Sequence, residues 1–465
     1  MAKNTNPLTL DSLKQAVRGS AAAVRLRVTL QPAGGEGTKV FPPTYSGGVY
    51  ATEKRFIDGK LIDCVLLDSV QSQANRLEQA LLQGYRDGKL RFPLIAVQFP
   101  GQSGGVNLSD IGEVTTLDAP HRVFDAILRD SVTSDGLPFR PQVRVKAVED
   151  KPDEKKADEK KGKAKGKSPN GKGPEATSAE GTEVALANVR YATPLLKLCP
   201  TALVFGAWDS TGAAGGLGNK FARAVVSEIV GVNAVVGIRT SSRIDPLGIE
   251  KGEIYESAVD GSYVVFAEEA RQERVKAKEG GKDKEADALA LFKRKAGDKG
   301  KPSEINHGNV TPDIVRSKDG TPIGGGVTVA HAEQTTVLSL AALRRLRFPA
   351  KPGEASKPEA DLAARTVLAA LALAAIAHQM DPPDYFLRSN CQLVLEDDPV
   401  FELVVTSKDV REFALDADAA DKLFAEAVAE MKKHGLPWRE EKLVLTPKKA
   451  LVDLVKRSRE LGGEE

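Results

Sequence analysis

Between about residues 149 and 183 the chain runs through KPDEKKADEKKGKAKGKSPNGKGPEATSAEGTE, with no aromatic and almost no large apolar side chain. Such a stretch cannot bury enough surface to offset the entropy of ordering it, so we expect a disordered insertion. Any core must then close between residues that precede it and residues that follow it. A second charged stretch, Glu268–Lys301, is less extreme because Ala286–Phe292 (ADALALF) suits a short helix; it is expected to be a mobile loop. The whole chain, 465 residues with 41% hydrophobic and 28% charged side chains, still has enough apolar residues for a large globular core. The expected division is a core in pieces at 20–148, 184–267 and 305–405, the insertion at 149–183, the charged loop at 268–304 and an acidic helical region at 406–465.

Periodicity sets the elements. Val24, Leu26, Val28 and Leu30 alternate with Arg25, Arg27 and Thr29, which predicts a half-buried strand with a basic open face. Further strands are expected at 61–67, 94–99 and 143–148. The segment DSVQSQANRLEQALLQG predicts a helix, with Asp68 and Gln71 as a capping box and Gly84 as its stop. Val70, Ala74, Leu77 and Leu81 fall on its apolar face. From Thr201 to Gly231 the expected order is strand (TALVFGAWDS), glycine loop (TGAAGGLG) and helix (NKFARAVVSEIVG), and Thr335–Arg347 is expected as another helix. The final hundred residues predict a buried helix near 360–379, two short strands near 391–405, and helices near 417–434 and 447–460.

The amino terminus lacks a signal-like apolar stretch, and the most apolar run, Val367–Ala377, is shorter than the ~20 residues of a membrane span. It is expected to be a buried helix. Cys64, Cys199 and Cys391 are three and far apart, which excludes a disulfide framework and a CxxC metal knuckle. A cytoplasmic location is expected, with no membrane association.

The catalytic signals are weak. Gly212 and Gly218 are not followed by Lys-Ser/Thr, and the dinucleotide fingerprint fails at Phe221. None of the five histidines has a zinc-type partner at i+2 to i+5. No metal, cofactor or catalytic residue is assigned. Basic side chains recur beside turns instead: Lys39, Arg76, Arg122, Arg140, Lys220, Arg223, Arg239 and Arg243, with Ser69, Gln71, Ser72 and Asn75 as neighbouring polar donors and His307 and Asn309 in the polar turn INHGNVTP. Each alone suits a solvated surface. Together they suit a phosphate backbone. The aromatic strand signature of an ordinary RRM is missing, which favours holding a backbone over reading bases.

At DSVQSQANRLEQAL (Asp68–Leu81), APHRVFDAILRDS (Ala119–Ser131), ALVFGAWDSTG (Ala202–Gly212), KFARAVVSEIVG (Lys220–Gly231) and LSLAALRRLRF (Leu338–Phe348) the chain resembles the backbone subunit of the type I-G (formerly I-U) CRISPR Cascade, a member of the RAMP superfamily. The resemblance runs over about residues 20–405. It implies an α+β fold: a modified RRM-like (ferredoxin-like) core with large insertions in a palm, finger and thumb arrangement. It also implies a non-catalytic scaffold, several copies of which stack head to tail along the CRISPR guide RNA. The guide then pairs with target DNA, with other Cascade subunits and a helicase-nuclease as partners. By position, Ser69, Gln71, Ser72, Asn75 and Arg76 would line the RNA groove, with Lys39, Arg122, Lys220 and Arg223 contributing.

Two other classes are distinguishable. A RAMP-type ribonuclease processing precursor RNA would use His121 or His307 as general base, and a phosphate-ligand enzyme would use the loop Gly212–Gly218. The near-neutral total charge of +2 is uneven: residues 1–358 carry 52 Lys+Arg against 43 Asp+Glu, and residues 359–465 carry 14 against 21. An RNA-compatible body thus precedes an acidic end.

Overall fold

The computed structural model describes residues 7–140, 178–209, 220–249, 254–256, 263–265, 293–294, 302, 306–316, 324–381 and 383–462. They fall into two compact units. The first draws on residues 1–36, 66–232 and 331–465, and the second on 37–65 and 233–330.

The central layer of the first unit contains, in chain order, β1 (Ala23–Pro32), α1 (Val70–Arg86), β2 (Val225–Val232), β3 (His331–Ser339), α2 (Pro358–Met380), β4 (Cys391–Leu395) and β5 (Val400–Val404). β3 runs antiparallel to β1 from Ala23↔Ser339 to Leu30↔Ala332, and β2 antiparallel to β3 from Val225↔Leu338 to Val232↔His331. The other flank of β1 carries β4 and β5, both antiparallel. Leu30 faces Leu395 and Arg27 faces Val400, so residues 396–399 bulge opposite Val28 and Thr29 within one interrupted strand. The order is therefore β4/β5, β1, β3, β2.

Alternation decides which face is covered. Val24, Leu26, Val28 and Leu30 are buried, as are Val225 and Ile229 of β2, Ala332 and Leu338 of β3, and Phe401 of β5. α1 packs against β2 and α2, and α2 also reaches β3. The opposite face carries Arg25, Arg27, Glu333, Thr335, Val226, Glu228 and Glu402. There Arg25 Nε donates to Glu402 Oε2 at 2.5 Å and Arg27 Nη2 to Glu333 Oε2 at 2.6 Å. The basic strand face expected from the sequence is thus neutralised by acids on its neighbours.

α2 is the longest element among the described residues at 23 residues, 19 of them buried, and begins with Pro358 at its first turn. It is long and apolar enough to cross a membrane, but in this unit its side chains form the core against α1, Leu10–Arg18 and Ala417–Lys433. The buried-helix expectation holds, over a longer span than the apolar run alone. The helices expected near 417–434 and 447–460 are Ala417–Lys433 and Lys449–Gly462. Between them Leu443–Pro447 pairs in parallel with Ile95–Gln98, so the acidic end of the chain is not purely helical.

Several expectations are corrected. KFARAVVSEIVG is not a helix: Lys220–Phe221 is a short strand, and β2 follows. TALVF is a short helix, Thr201–Phe205, rather than a strand. Residues 335–339 belong to β3, which Ser339 ends by capping the short helix Leu340–Leu343. Ser69, not Asp68, caps α1, its Oγ accepting from Ser72 N at 3.3 Å. Gly84 lies inside α1, where a Cβ would come within 3.0–3.2 Å of Leu90 and His378; the left-handed glycine beyond the helix is Gly88 at φ +78°. A third strand, Val410–Phe413, joins the two expected near 391–405. Residues 178–183 of the expected insertion are ordered: Ser178 caps the helix Ala179–Leu186. The expected strand at 143–148, the helix at 286–292 and the glycine loop at 212–218 lie outside the described residues. Within 268–301, Lys293–Arg294 pairs with Ile254–Glu256.

The stems of the segment 141–177 touch. Ser178 N donates to Pro138 O at 3.0 Å, and Ser178 Oγ to Phe139 O at 3.4 Å. Replacing those 37 residues by about five Gly/Ser residues shortens a closed loop, which lowers its closure cost by about 1–2 kcal/mol. The variant is expected to melt no lower than the parent by calorimetry; a lower Tm would mean that the segment contributes to the core.

The second unit consists of short antiparallel pairs. Thr52–Ile57 pairs with Lys60–Asp68 around Asp58 and Gly59, at φ +48° and +76°, a turn that matches strand twist. Val235–Ile238 pairs with Gly324–Thr328, and Thr240–Arg243 with Val310–Ile314. A Cβ at Gly325 would sit 1.8 Å from the Ile238 carbonyl carbon, so only glycine permits that backbone approach.

Candidate nucleic-acid interface

The sequence of α1 divides cleanly by face. Ala74, Leu77, Leu81 and Leu82 are buried, while Gln71, Asn75 and Gln79 are exposed and Ser72 and Arg76 are half-buried beside them. This polar side borders a groove of about 610 Å³. Ser72, Asn75, Arg76, Gln79, Asp87 and Lys89 line it together with Asp381 and Asp384, which follow α2 in the chain. Five expected site residues, Ser69, Gln71, Ser72, Asn75 and Arg76, therefore belong to one helical surface, with Ser69 engaged as its cap.

Arg76 is anchored from below. Its Nε donates to Asp68 Oδ2 at 2.9 Å, and its Nη1 and Nη2 to the carbonyls of Phe386 and Leu387 at 3.3 and 2.8 Å. Asp68 is fully buried and also accepts from Gln73 Nε2 at 2.6 Å. Gln73 opens a buried polar network beneath the groove: Gln334 Nε2 donates to Gln73 Oε1, Ser227 Oγ and Gln379 Oε1 at 3.0, 3.2 and 3.2 Å. The Tyr385 hydroxyl donates to Gln334 Oε1 at 2.6 Å. Burial pushes that phenol well above its usual value, so it remains a donor. Paired polar networks of this kind fix one arrangement of sheet and helices.

Arg122 and Arg140 occupy different surroundings. Arg122 is buried and left-handed at φ +51°. It grips Glu78 with both arms, Nε to Oε1 at 2.6 Å and Nη2 to Oε2 at 2.7 Å, and donates to Gly206 O at 2.8 Å. Burial pushes the Glu78 carboxyl up, against the pull of Arg122. Arg140 donates to Asp209 Oδ2 at 2.5 Å and Phe124 O at 2.9 Å, also in the interior. Both guanidiniums therefore hold the fold and present nothing to solvent. Arg223 is half-buried, its Nε on Phe205 O at 3.1 Å, and burial lowers its pKa. Lys220 is exposed opposite Trp208, itself 52% exposed.

In the second unit, Lys39 and Arg239 approach the glycine-lined pair. Lys39 Nζ donates to Ile238 O at 3.4 Å across Gly237, and Arg239 passes Gly324. Arg243, His307 and Asn309 gather around Asp245, whose N–H donates to Asn309 Oδ1 at 2.7 Å and whose Oδ2 accepts from Gly308 N at 2.6 Å. The Gly308 N–H, aided by Arg243 and His307, holds the Asp245 carboxyl below its usual value. A depressed carboxylate stabilises the turn above the ordinary Asp value and loses that contribution as pH falls through the folded value. A carboxyl NMR titration is expected to place the Asp245 midpoint below about 3.9; a midpoint at or above it would contradict this turn geometry.

Sequence reasoning missed Glu78 and the Gln73–Gln334–Gln379 network, and took Asp68 for a cap rather than the buried acceptor beneath Arg76. Glu78 alone carried a signal, standing among the apolar positions of α1. Among the described residues no group of three or more His, Cys, Asp or Glu side chains could hold a metal ion. No curated protein matches the chain. Residues 24–236, from β1 through α1 to just beyond β2, match the family described as CRISPR-associated protein GSU0053, a match over just under half of the chain that supports an association with CRISPR.

Proposed function

We propose that the chain is a non-catalytic guide-RNA scaffold, the backbone subunit of a type I-G Cascade, with a RAMP-type, RRM-like core. The sheet order carries this reading. Taking β4/β5 as one interrupted strand, the order fourth, first, third, second, with helices after the first and third strands, is that of a ferredoxin-like βαββαβ unit. The two connections 87–224 and 233–330 between its strands supply the finger and thumb of this reading. The open faces of β1–β5 carry no Phe, Tyr or Trp but two ion pairs, Arg25–Glu402 and Arg27–Glu333, so these five strands offer no platform on which bases would stack; the exposed ring of Phe386 stands at the edge of the sheet, beside β4.

RNA is then held by its backbone, on the polar surface of α1 and on the exposed cations Lys39, Lys220 and Arg239, and its bases stay free to pair with target DNA. Copies of the chain line up along the guide, alongside other Cascade subunits and a helicase-nuclease, in the cytoplasm. The double variant Arg76→Ala/Lys220→Ala is expected to retain less guide RNA and to show a shallower salt dependence, by about 0.7 in log–log slope for each single-strand phosphate that is no longer neutralised. Retention and slope equal to the parent's would contradict the assigned surface.

A further inference from the structure

Arg388 is a cation that no sequence pattern singles out. It ends the short strand Phe386–Arg388, directly after the two carbonyls that Arg76 grips. Its Nη2 stands 3.8 Å from Asp68 Oδ1, and its Nη1 donates to Leu67 O at 3.4 Å. Asp68 Oδ2 is taken by Arg76 and Gln73, whereas the buried Oδ1 accepts no hydrogen bond among the described residues. Two guanidiniums thus share one carboxylate, and that carboxylate is sealed from solvent while both cations stay partly exposed, at 22% for Arg76 and 29% for Arg388.

Among these three side chains one positive charge is left over. Arg76 spends three N–H groups on protein acceptors and Arg388 one, so each guanidinium has N–H groups left to turn outward. Two such forks, anchored on the same carboxylate, suit the two non-bridging oxygens of one phosphodiester. Asp381 and Asp384 line the same groove, Asp384 accepting from Phe386 N, and their carboxylates repel a polyanion continuing along it, which limits the site to a single phosphate. We propose that Arg76 and Arg388 form a paired-guanidinium site for one phosphodiester of single-stranded RNA, with Asp68 as the positioning residue beneath them. The proposal rests on the RNA-binding reading above and names a contact within it.

The test is binding of a uniform oligouridine to the purified full-length chain between 50 and 200 mM salt, for the parent and for Arg76→Ala, Arg388→Ala, the double variant, Arg388→Lys and Asp68→Asn. A shared phosphate predicts that each alanine variant weakens binding several-fold and lowers the log–log salt slope by about 0.7, and that the double variant lowers it by the same amount rather than twice as much. Arg388→Lys keeps the charge but not the fork, and is expected to recover the slope without the full affinity. Asp68→Asn removes a negative charge and on charge alone would tighten binding; positioning predicts the opposite sign, in a sample whose circular dichroism matches the parent's. Unchanged affinity and slope in Arg388→Ala, or additive slopes in the double variant, would overturn the shared site. No salt-dependent RNA binding by the parent would instead overturn the RNA-binding reading itself.

Discussion

Replacing Glu78 with alanine is expected to cost the folded state about 3–5 kcal/mol, because it leaves the Arg122 guanidinium buried with no counter-charge. The side chains of the pair are 9% and 3% exposed, and both arms of Arg122 are committed to Glu78. Burial raises the Glu78 carboxyl even against so close a cation, so desolvation outweighs attraction at this site. Taking both charges out of water costs about as much as their attraction returns, so the pair as a whole stabilises little and its breaking is the expensive step. The double variant Glu78→Leu/Arg122→Met is accordingly expected to recover most of the loss, within about 1–2 kcal/mol of the parent. Denaturant unfolding of the three variants checks this. A Glu78→Ala variant within about 1 kcal/mol of the parent would show that Arg122 can reach water, contrary to its placement.

The second large effect lies in α2. Ala372 is fully buried in a helix with 19 of 23 residues in the core, so Ala372→Asp places a charge beside the buried apolar Leu368, Ala369, Ala375 and Ile376 of neighbouring turns. The cost is on the order of several kcal/mol, comparable to the whole stability of many domains. The variant is expected to lose cooperative unfolding and soluble yield. At the exposed first turn of the same helix, Glu359 pairs with Arg18 with both side chains more than 60% in solvent, and Glu359→Ala is expected to change stability by no more than about 1 kcal/mol. Equal effects at the two positions would contradict the burial of α2.

Why some elements were legible and others not follows from what occupies their covered faces. β1 shows a clean apolar alternation and α2 an unbroken apolar run, so both could be read from periodicity. β3 could not, because the buried side of His331–Ser339 holds Gln334 and Thr336, whose polar groups are satisfied by Gln73, Ser227, Gln379 and Tyr385 from other elements. The segment 220–231 misled for a different reason. Phe221, Val225 and Ile229 recur every fourth residue, a spacing that fits a helix face and alternate strand positions equally; its Val and Ile content is what favours the strand.

The candidate site divides the same way. The polar face of α1 was visible as a pattern within one helix. That Arg122 and Arg140 are interior was not visible, because their partners, Glu78 and Asp209, lie 44 and 69 residues away. Nor was Arg388, whose place beside Arg76 depends on a strand more than 300 residues from α1.

The central claim is that this chain holds guide RNA in several copies, and the most direct measurement is its purification after co-expression with a guide, followed by RNA sizing and mass determination of the particle. The expected result is RNA of one defined length carrying more than one copy of the chain, released as salt is raised. A nucleic-acid-free monomer under the same conditions would contradict it.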